Sequence, residues 1–420
     1  MKIALVDIKK DGDNKDFNGG FGTTFQIGKS IPSRVLSFLR GKLENLPTLS
    51  YVYIAGICKK YNHSVKYYLN EIPDSADLIL IHVSLIRYNE EINFIKKMKQ
   101  KGLNNIGVYG PIASVKPEFF KDADFVLKGE PEQAIINIFE MNKVPKGVIE
   151  SKPIEDLDSL PYPDWSCFPV EDYSLSPAIS KKPTLWVHAS RGCPYKCSYC
   201  PYLVFGKYRA RKPEKVIEEL KYLKEKYNIK GFFFRDPTFS INHERIKKLA
   251  ELMIKEELNL EWGCETRLDL LDISLLNLLY KAGLRAIKVG VESVDHDLLK
   301  KYKRLPPEIN HQEKIINFCK KIGIRVIAFY IIGIPTDTKE TIKNTINYSR
   351  RLNTSFANFT ICTPIPGTDF YEEIKEKISD NNFNHYDNFH VVFKHDNLTS
   401  KEILDFQEKA ITGYYFRLKY

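Results

Sequence analysis

The sequence predicts an α/β protein: an N-terminal Rossmann-like, doubly wound domain, a partial barrel of six β/α units, and a small, mostly helical C-terminal tail. Three observations carry this. Short apolar runs alternate with amphipathic stretches as far as about Pro366, the pattern of parallel strands joined by right-handed crossover helices. The 420 residues exceed one ordinary core, and at 43% apolar and 12% aromatic the chain can bury two. Pro145, Pro153, Pro161, Pro163, Pro169, Pro177 and Pro183 interrupt the alternation and separate two β/α series. The expected units are residues 1–142, a proline-rich linker at 143–182, the barrel at 183–368 and the tail at 369–420.

In the first series, Ile3–Val6 reads as a strand and Leu49–Lys60 as a helix. Ser64–Tyr68 and Asp77–Val83 are strands, the latter nearly all apolar, as in a sheet buried on both faces. Asn89–Lys101 is a helix, Ile106–Tyr109 a strand, and Phe125–Leu127 a last short strand.

In the second series, strands are predicted at Leu185–His188, Gly231–Arg235, Leu260–Glu265, Ala286–Val291, Arg325–Ile332 and Phe356–Cys362. Amphipathic helices fall between them at Pro213–Glu225, Glu244–Lys255, Ser274–Ala282, Gln312–Lys321 and Lys339–Leu352. Pro213 and Ser274 stand near helix starts, and Gly283 and Gly323 where C-caps belong. Parallel barrels and open parallel sheets both carry their sites at the C-terminal ends of the strands.

A cysteine motif follows the first barrel strand: Arg191-Gly192-Cys193-Pro194-Tyr195-Lys196-Cys197-Ser198-Tyr199-Cys200. Three thiols in this spacing can hold three corners of a four-iron, four-sulfur cluster. Full ligation takes four cysteines, so one iron stays open. An open position separates a catalytic metal site from a structural one. Zinc would want four ligands in paired spacing, and no second Cys/His pair lies nearby. His188, on the preceding strand, is expected to point into a core or a cavity. A ferredoxin-type carrier would want a fourth cysteine in the run. Cys58, Cys167, Cys264, Cys319 and Cys362 are scattered and read as small buried hydrophobes.

Charge appears too early, at Lys2 and Asp7, for a signal peptide, and no apolar run reaches the roughly 18 residues of a membrane span. A cytoplasmic setting, where thiols stay reduced, is expected. Sixty-three Lys plus Arg against 53 Asp plus Glu give a net charge of +10, spread over Lys-rich helices such as the stretch from Glu218 to Lys230. That distribution describes solvated helix faces rather than a nucleic-acid interface.

The cysteine loop resembles that of the radical S-adenosylmethionine (SAM) enzymes. The resemblance implies Cys193, Cys197 and Cys200 as ligands of a 4Fe-4S cluster whose open iron binds the amino and carboxylate groups of SAM. It further implies one-electron cleavage to a 5′-deoxyadenosyl radical, with Tyr199 against the adenine. Polar residues at the later strand ends become SAM-binding candidates: Asp236 in Arg235-Asp236-Pro237, Glu265 and Arg267, Glu292 and Ser293, and the backbone of Gly333-Ile334-Pro335. Asp236, Ser293 and Thr336 also read as ordinary caps. Arg267, a lone arginine at the barrel mouth, is expected to grip a carboxylate. Pro364-Ile365-Pro366-Gly367-Thr368 reads as a rim turn, and Cys264 and Cys362 as core residues beside the cavity.

The first domain is similar to the cobalamin-binding domain that precedes the barrel in a large subfamily. The match rests on Tyr53-Ile54-Ala55-Gly56, Asp77 to Ser84, Val108-Tyr109-Gly110-Pro111 and Lys128-Gly129-Glu130-Pro131-Glu132. It extends through Asp158 to Pro163 and the tail around Tyr414-Tyr415-Phe416-Arg417. Ser84, Tyr109, Gly110, Gly129 and Glu130 are thereby implied beside a corrin, glycine letting backbone approach a flat ring. Tyr109 stands where the subfamily has glycine, and Asp7 to Gly20 contains no histidine, so cobalamin is expected without a histidine ligand to cobalt. The resemblance implies methylation of an unactivated carbon or phosphorus centre in a small-molecule, lipid or peptide substrate. It also implies a reducing donor such as flavodoxin or ferredoxin. The alternative is a non-methylating radical cyclisation, rearrangement or oxidation on a cobalamin-type scaffold. A sensor with a structural cluster is the third reading, and it gains nothing from an open iron.

Overall fold

The computed structural model describes residues 1–24, 30–45 and 48–416, so Arg417 of the expected tail signature lies outside the described residues. The N-terminal sheet holds Lys2–Asp7 (β1), Ser64–Leu69 (β2), Leu78–His82 (β3), Ile106–Tyr109 (β4), Phe125–Lys128 (β5) and Gly147–Glu150 (β6). Its strands are all parallel, in the order β2-β1-β3-β4-β5-β6. This is a doubly wound sheet with its switch point between β1 and β3, where such sheets take ligands.

The sequence expectation ended this sheet at Phe125–Leu127 and began an irregular linker at residue 143. Instead, Gly147–Glu150 pairs with β5 along its length, Phe125 opposite Gly147 and Lys128 opposite Glu150. Four mostly exposed residues between Pro145 and Pro153 carry too little periodicity to announce an edge strand. The rest of the linker is packed rather than loose: Trp165 is buried, and the Asp164 N–H donates to the Val52 carbonyl.

The second sheet runs strictly in sequence: Thr184–Val187 (β7), Gly231–Phe234 (β8), Glu261–Thr266 (β9), Leu284–Glu292 (β10), Arg325–Ile332 (β11) and Phe356–Ile361 (β12). All pairs are parallel, and β7 and β12 each have one neighbour, so the barrel stays open on one side. Helices between the strands cover its outside. Helix Lys339–Leu352 shows why they form: Ile342, Ile346, Ser349 and Leu352 are buried on one face, and Thr338 and Thr341 close a capping box at its start.

One apolar cluster runs from Ile3 and Tyr51 through Trp165 and Trp186 to Trp262 and Tyr414, so the two sheets share a core. The tail ends in helix Ser400–Tyr415, whose Tyr415 hydroxyl donates to the Ala357 carbonyl of β12. Between Lys375 and Thr399 the described chain is largely irregular, with short 3-10 turns and an isolated antiparallel bridge between Ile378 and Phe393. Among the described residues no helix is long and apolar enough to cross a membrane.

Candidate active site

A cavity of about 300 Å³ opens inside the partial barrel toward the C-terminal strand ends. The cysteine loop reaches it from β7. Asp236, at the end of β8, accepts from the Ala189 N–H at 2.8 Å and the Ser190 hydroxyl at 2.5 Å. It is fully buried and does not line the cavity; it fixes the chain that enters the loop. Gly192 sits at φ 74°, and a Cβ there would strike the Lys207 carbonyl. Further along, the Ser198 N–H donates to the Tyr302 carbonyl and the Ser198 carbonyl accepts from Phe370 N–H, pinning the loop from two sides.

The three thiols share one neighbourhood. Burial pushes the Cys197 thiol up to about 11. Cys200 is pushed higher, by burial first and then by its neighbours Cys197 and Cys193. Cys193 Sγ lies 3.6 Å from the Thr238 hydroxyl. Among the described residues no three His, Cys, Asp or Glu side chains converge tightly enough for a single metal ion. Three thiolates on one loop are the kind of donor an iron–sulfur cluster takes, and a fourth cysteine would be needed to close it. Cys58, Cys264 and Cys319 are packed in the core, whereas Cys362, also buried, borders the cavity.

Tyr199, Glu265 and Glu292 line the cavity. Glu265 is already engaged by Arg235, Nη1 to Oε1 2.5 Å. Glu292 follows a register shift in β10 and holds φ at +67°, a strained conformation for a side-chain-bearing residue. Burial raises its carboxyl to about 7, with Arg267 opposing. A Cβ on Gly290 would collide with the Glu292 carboxylate, so the glycine makes room for it.

The remaining candidates have other partners or stand off the cavity. Arg267 is not alone: Asp269 takes its guanidinium at 2.9 and 2.8 Å, Nη2 also donates to the Leu305 carbonyl, and the group lies 4.0 Å over Tyr195. Ser293 is buried against Thr345 and does not line the cavity. The turn Gly333-Ile334-Pro335 also stands off it. Its Gly333 and Ile334 N–H groups donate to Asp337, and the Ile334 carbonyl accepts from His395.

A second, smaller space of about 140 Å³ lies between the two sheets. Tyr109, Gly110, Gly129 and Glu130 line it from the N-terminal side, and His188, Arg191 and Arg235 from the barrel. Ser84 does not; its N–H and hydroxyl both go to Glu91. Ser50 bridges His82 Nδ1 at 2.9 Å and the Tyr109 hydroxyl at 3.2 Å. The switch point behind them is filled by Lys15, whose buried ammonium sits 2.9 Å from Asp7 and 2.8 Å from Glu91. In kind, these aromatic and hydrogen-bonding strand ends fit a corrin edge. In size, 140 Å³ is below the roughly 300–1,000 Å³ of ligand pockets, so the space as it stands takes only part of a group that large.

The sequence reading missed Phe17 and Lys288. Phe17 comes from the loop after β1, yet its ring reaches into the barrel, 4.6 Å from the Arg235 guanidinium. Nothing in the sequence announces that reach. Lys288 was legible as a charge inside the apolar run Ala286–Val291.

Fold and site define a class: an incomplete parallel barrel with a three-cysteine loop after its first strand. Residues 187–349 match the Radical SAM superfamily, and the chain carries a radical SAM domain. An uncharacterized methyltransferase of Pyrococcus horikoshii is 29% identical over 314 residues, 71% of this chain and 66% of that one. The anaerobic magnesium-protoporphyrin IX monomethyl ester cyclase of Rubrivivax gelatinosus is 30% identical over 349 residues, 74% of this chain and 61% of that one. The chain thus spans between about three fifths and two thirds of the length of these relatives. The methyltransferase TsrM of Kitasatospora setae, solved with cobalamin and a [4Fe-4S] cluster, has the same overall fold. Its TM-score is 0.66 at 15% identity, over 89% of this chain and 78% of that one.

Proposed function

We propose that this chain is an oxygen-sensitive radical SAM enzyme, cobalamin-dependent, that methylates an unactivated carbon or phosphorus centre of a small-molecule, lipid or peptide substrate. The observation that carries the reading is the set of three neighbouring thiols on one pinned loop, whose Tyr199 and Cys200 line the 300 Å³ cavity. Cys193, Cys197 and Cys200 would hold the cluster, and Tyr199 and Glu292 would border SAM. Tyr109, Gly110, Gly129 and Glu130 would border the corrin, with no histidine ligand supplied by the loop after β1. Together these groups supply one-electron cleavage and methyl transfer. The protein's part is to hold them in register and keep water from the cavity. Flavodoxin or ferredoxin would serve as donor, and the cytoplasm as setting.

A second reading is favoured by one specific observation. Ser50 bridges His82 and Tyr109 on the N-terminal wall of the crevice, and one relative is named a cyclase rather than a methyltransferase. A corrin-free scaffold performing radical cyclisation, rearrangement or oxidation would explain both.

Anaerobic purification from cobalamin-fed cells, with iron and cobalt analysis, separates the two. Cobalt near one per chain, and a product one methyl group heavier than its substrate, are expected. Iron without cobalt, even after added hydroxocobalamin, would promote the second reading.

A further inference from the structure

Lys288 lies near the middle of β10 and points into the barrel, where it forms part of the cavity wall. It is 4% exposed, and among the described residues its ammonium has neither a hydrogen bond nor an ion pair. Two rings attend it instead, Phe17 at 4.1 Å and Phe233 at 4.9 Å. The carboxylate opposite it in register, Glu265, is held by Arg235. Across the cavity, Arg40 is directed by Glu44 at 3.0 Å and by the Asn358 side chain at 2.8 Å.

Burying an unpaired cation is costly, and aromatic faces offset only part of that cost. Burial accordingly pushes Lys288 down to about 8. An anion seated beside such an ammonium supplies the missing counter-charge and offsets that cost. Of the carboxyl groups lining this cavity, Glu265 is neutralised by Arg235 and burial raises Glu292 to about 7, while among the described residues Lys288 has no partner beyond the rings of Phe17 and Phe233.

We infer that the cavity takes an anionic substrate with an apolar body, and that Lys288 is the residue that binds its carboxylate or phosphoryl group. The inference rests on the radical SAM reading of the cavity and adds the substrate's chemical class. Lys288 sits four residues before the strand-end Glu292 and in register with Glu265, on the wall of the cavity and not on the cysteine loop, so its ammonium faces a ligand held there.

The test uses anaerobically reconstituted full-length protein, wild type and Lys288→Met, with Lys288→Gln as a second variant. Iron content and circular dichroism certify that each variant is folded and loaded. Calorimetric titration is then run with octanoate, octyl phosphate and octanamide, three probes with one apolar chain. Wild type should bind at least one anion ten-fold or more tighter than the amide, and both variants should lose that preference while keeping the amide's affinity. The better of the two anions identifies the group. Equal binding of anion and amide, retained preference in the variants, or no binding of either anion overturns the inference. Reductive cleavage of SAM is measured on the same samples without any probe. Its failure in wild type would sink the enzyme reading, separately from the anion result.

Discussion

Arg191, two residues before the first cysteine of the loop, is clamped by Glu132 at the start of the helix after β5, Nη1 to Oε1 2.8 Å. Glu130 adds a second carboxylate at 3.2 Å and also holds Arg209. The Gly-Glu-Pro-Glu segment of the N-terminal sheet therefore sets the position of the cysteine loop on the barrel. A motif read as a corrin border proves to be a clamp between the two sheets as well.

Removing one partner of a buried ion pair leaves the other charge unpaired, which costs about 3–5 kcal/mol. Glu132→Gln leaves Arg191 with Glu130 alone, a carboxylate already shared with Arg209, so a destabilisation below that order is expected, with less iron retained after reconstitution because the loop loses its shorter anchor. Urea unfolding and iron analysis check both effects. A variant of unchanged iron content would show that the clamp serves folding alone.

Asp236→Asn should act on the same loop from behind. The amide cannot accept from both Ala189 and Ser190 as the carboxylate does, and a buried donor left unsatisfied costs about 1–3 kcal/mol. A lowered urea midpoint with partial iron loss is expected. Full stability would mean that water or a shifted side chain takes over the bonds.

Tyr109→Gly tests whether crevice size governs corrin uptake. The tyrosine is 1% exposed, and removing so large a buried side chain costs about 3–5 kcal/mol. The widened crevice should take up more hydroxocobalamin, read as corrin absorbance per chain after gel filtration. Equal uptake by wild type and variant would show that the tyrosine is no barrier.

His82 should give a recognisable pH signature. Burial, with Lys15 nearby, lowers its imidazole from 6.5 to about 4, so the unfolded chain takes up the proton first on acidification. Its contribution is present above pH 6.5 and is lost as pH falls through 4; the gap corresponds to about 3 kcal/mol. The stability difference between wild type and His82→Gln should shrink by that order from pH 7 to pH 4. A difference independent of pH contradicts the assignment.

The alternation of apolar runs made both β/α series readable because each strand and helix is long enough to show its period. Gly147–Glu150 escaped because four mostly exposed edge residues are too few to show one. The cysteine loop was readable because its ligands are local in sequence. Arg267 was misjudged although Asp269 lay two residues away, since spacing alone does not show that two side chains turn toward each other. Phe17 was unreadable for the opposite reason: more than 160 residues separate it from the strands whose cavity it enters, and only the folded chain unites them. Lys288 lay in plain view, a charge in a strand otherwise written for burial.

The most direct measurement is iron content and SAM cleavage in anaerobically reconstituted wild type and in the triple variant Cys193→Ala, Cys197→Ala, Cys200→Ala. Wild type should hold about four irons per chain and release 5′-deoxyadenosine after reduction, and the triple variant should do neither. Equal iron in both proteins, or no iron in wild type, would contradict the assignment of a catalytic cluster to this loop.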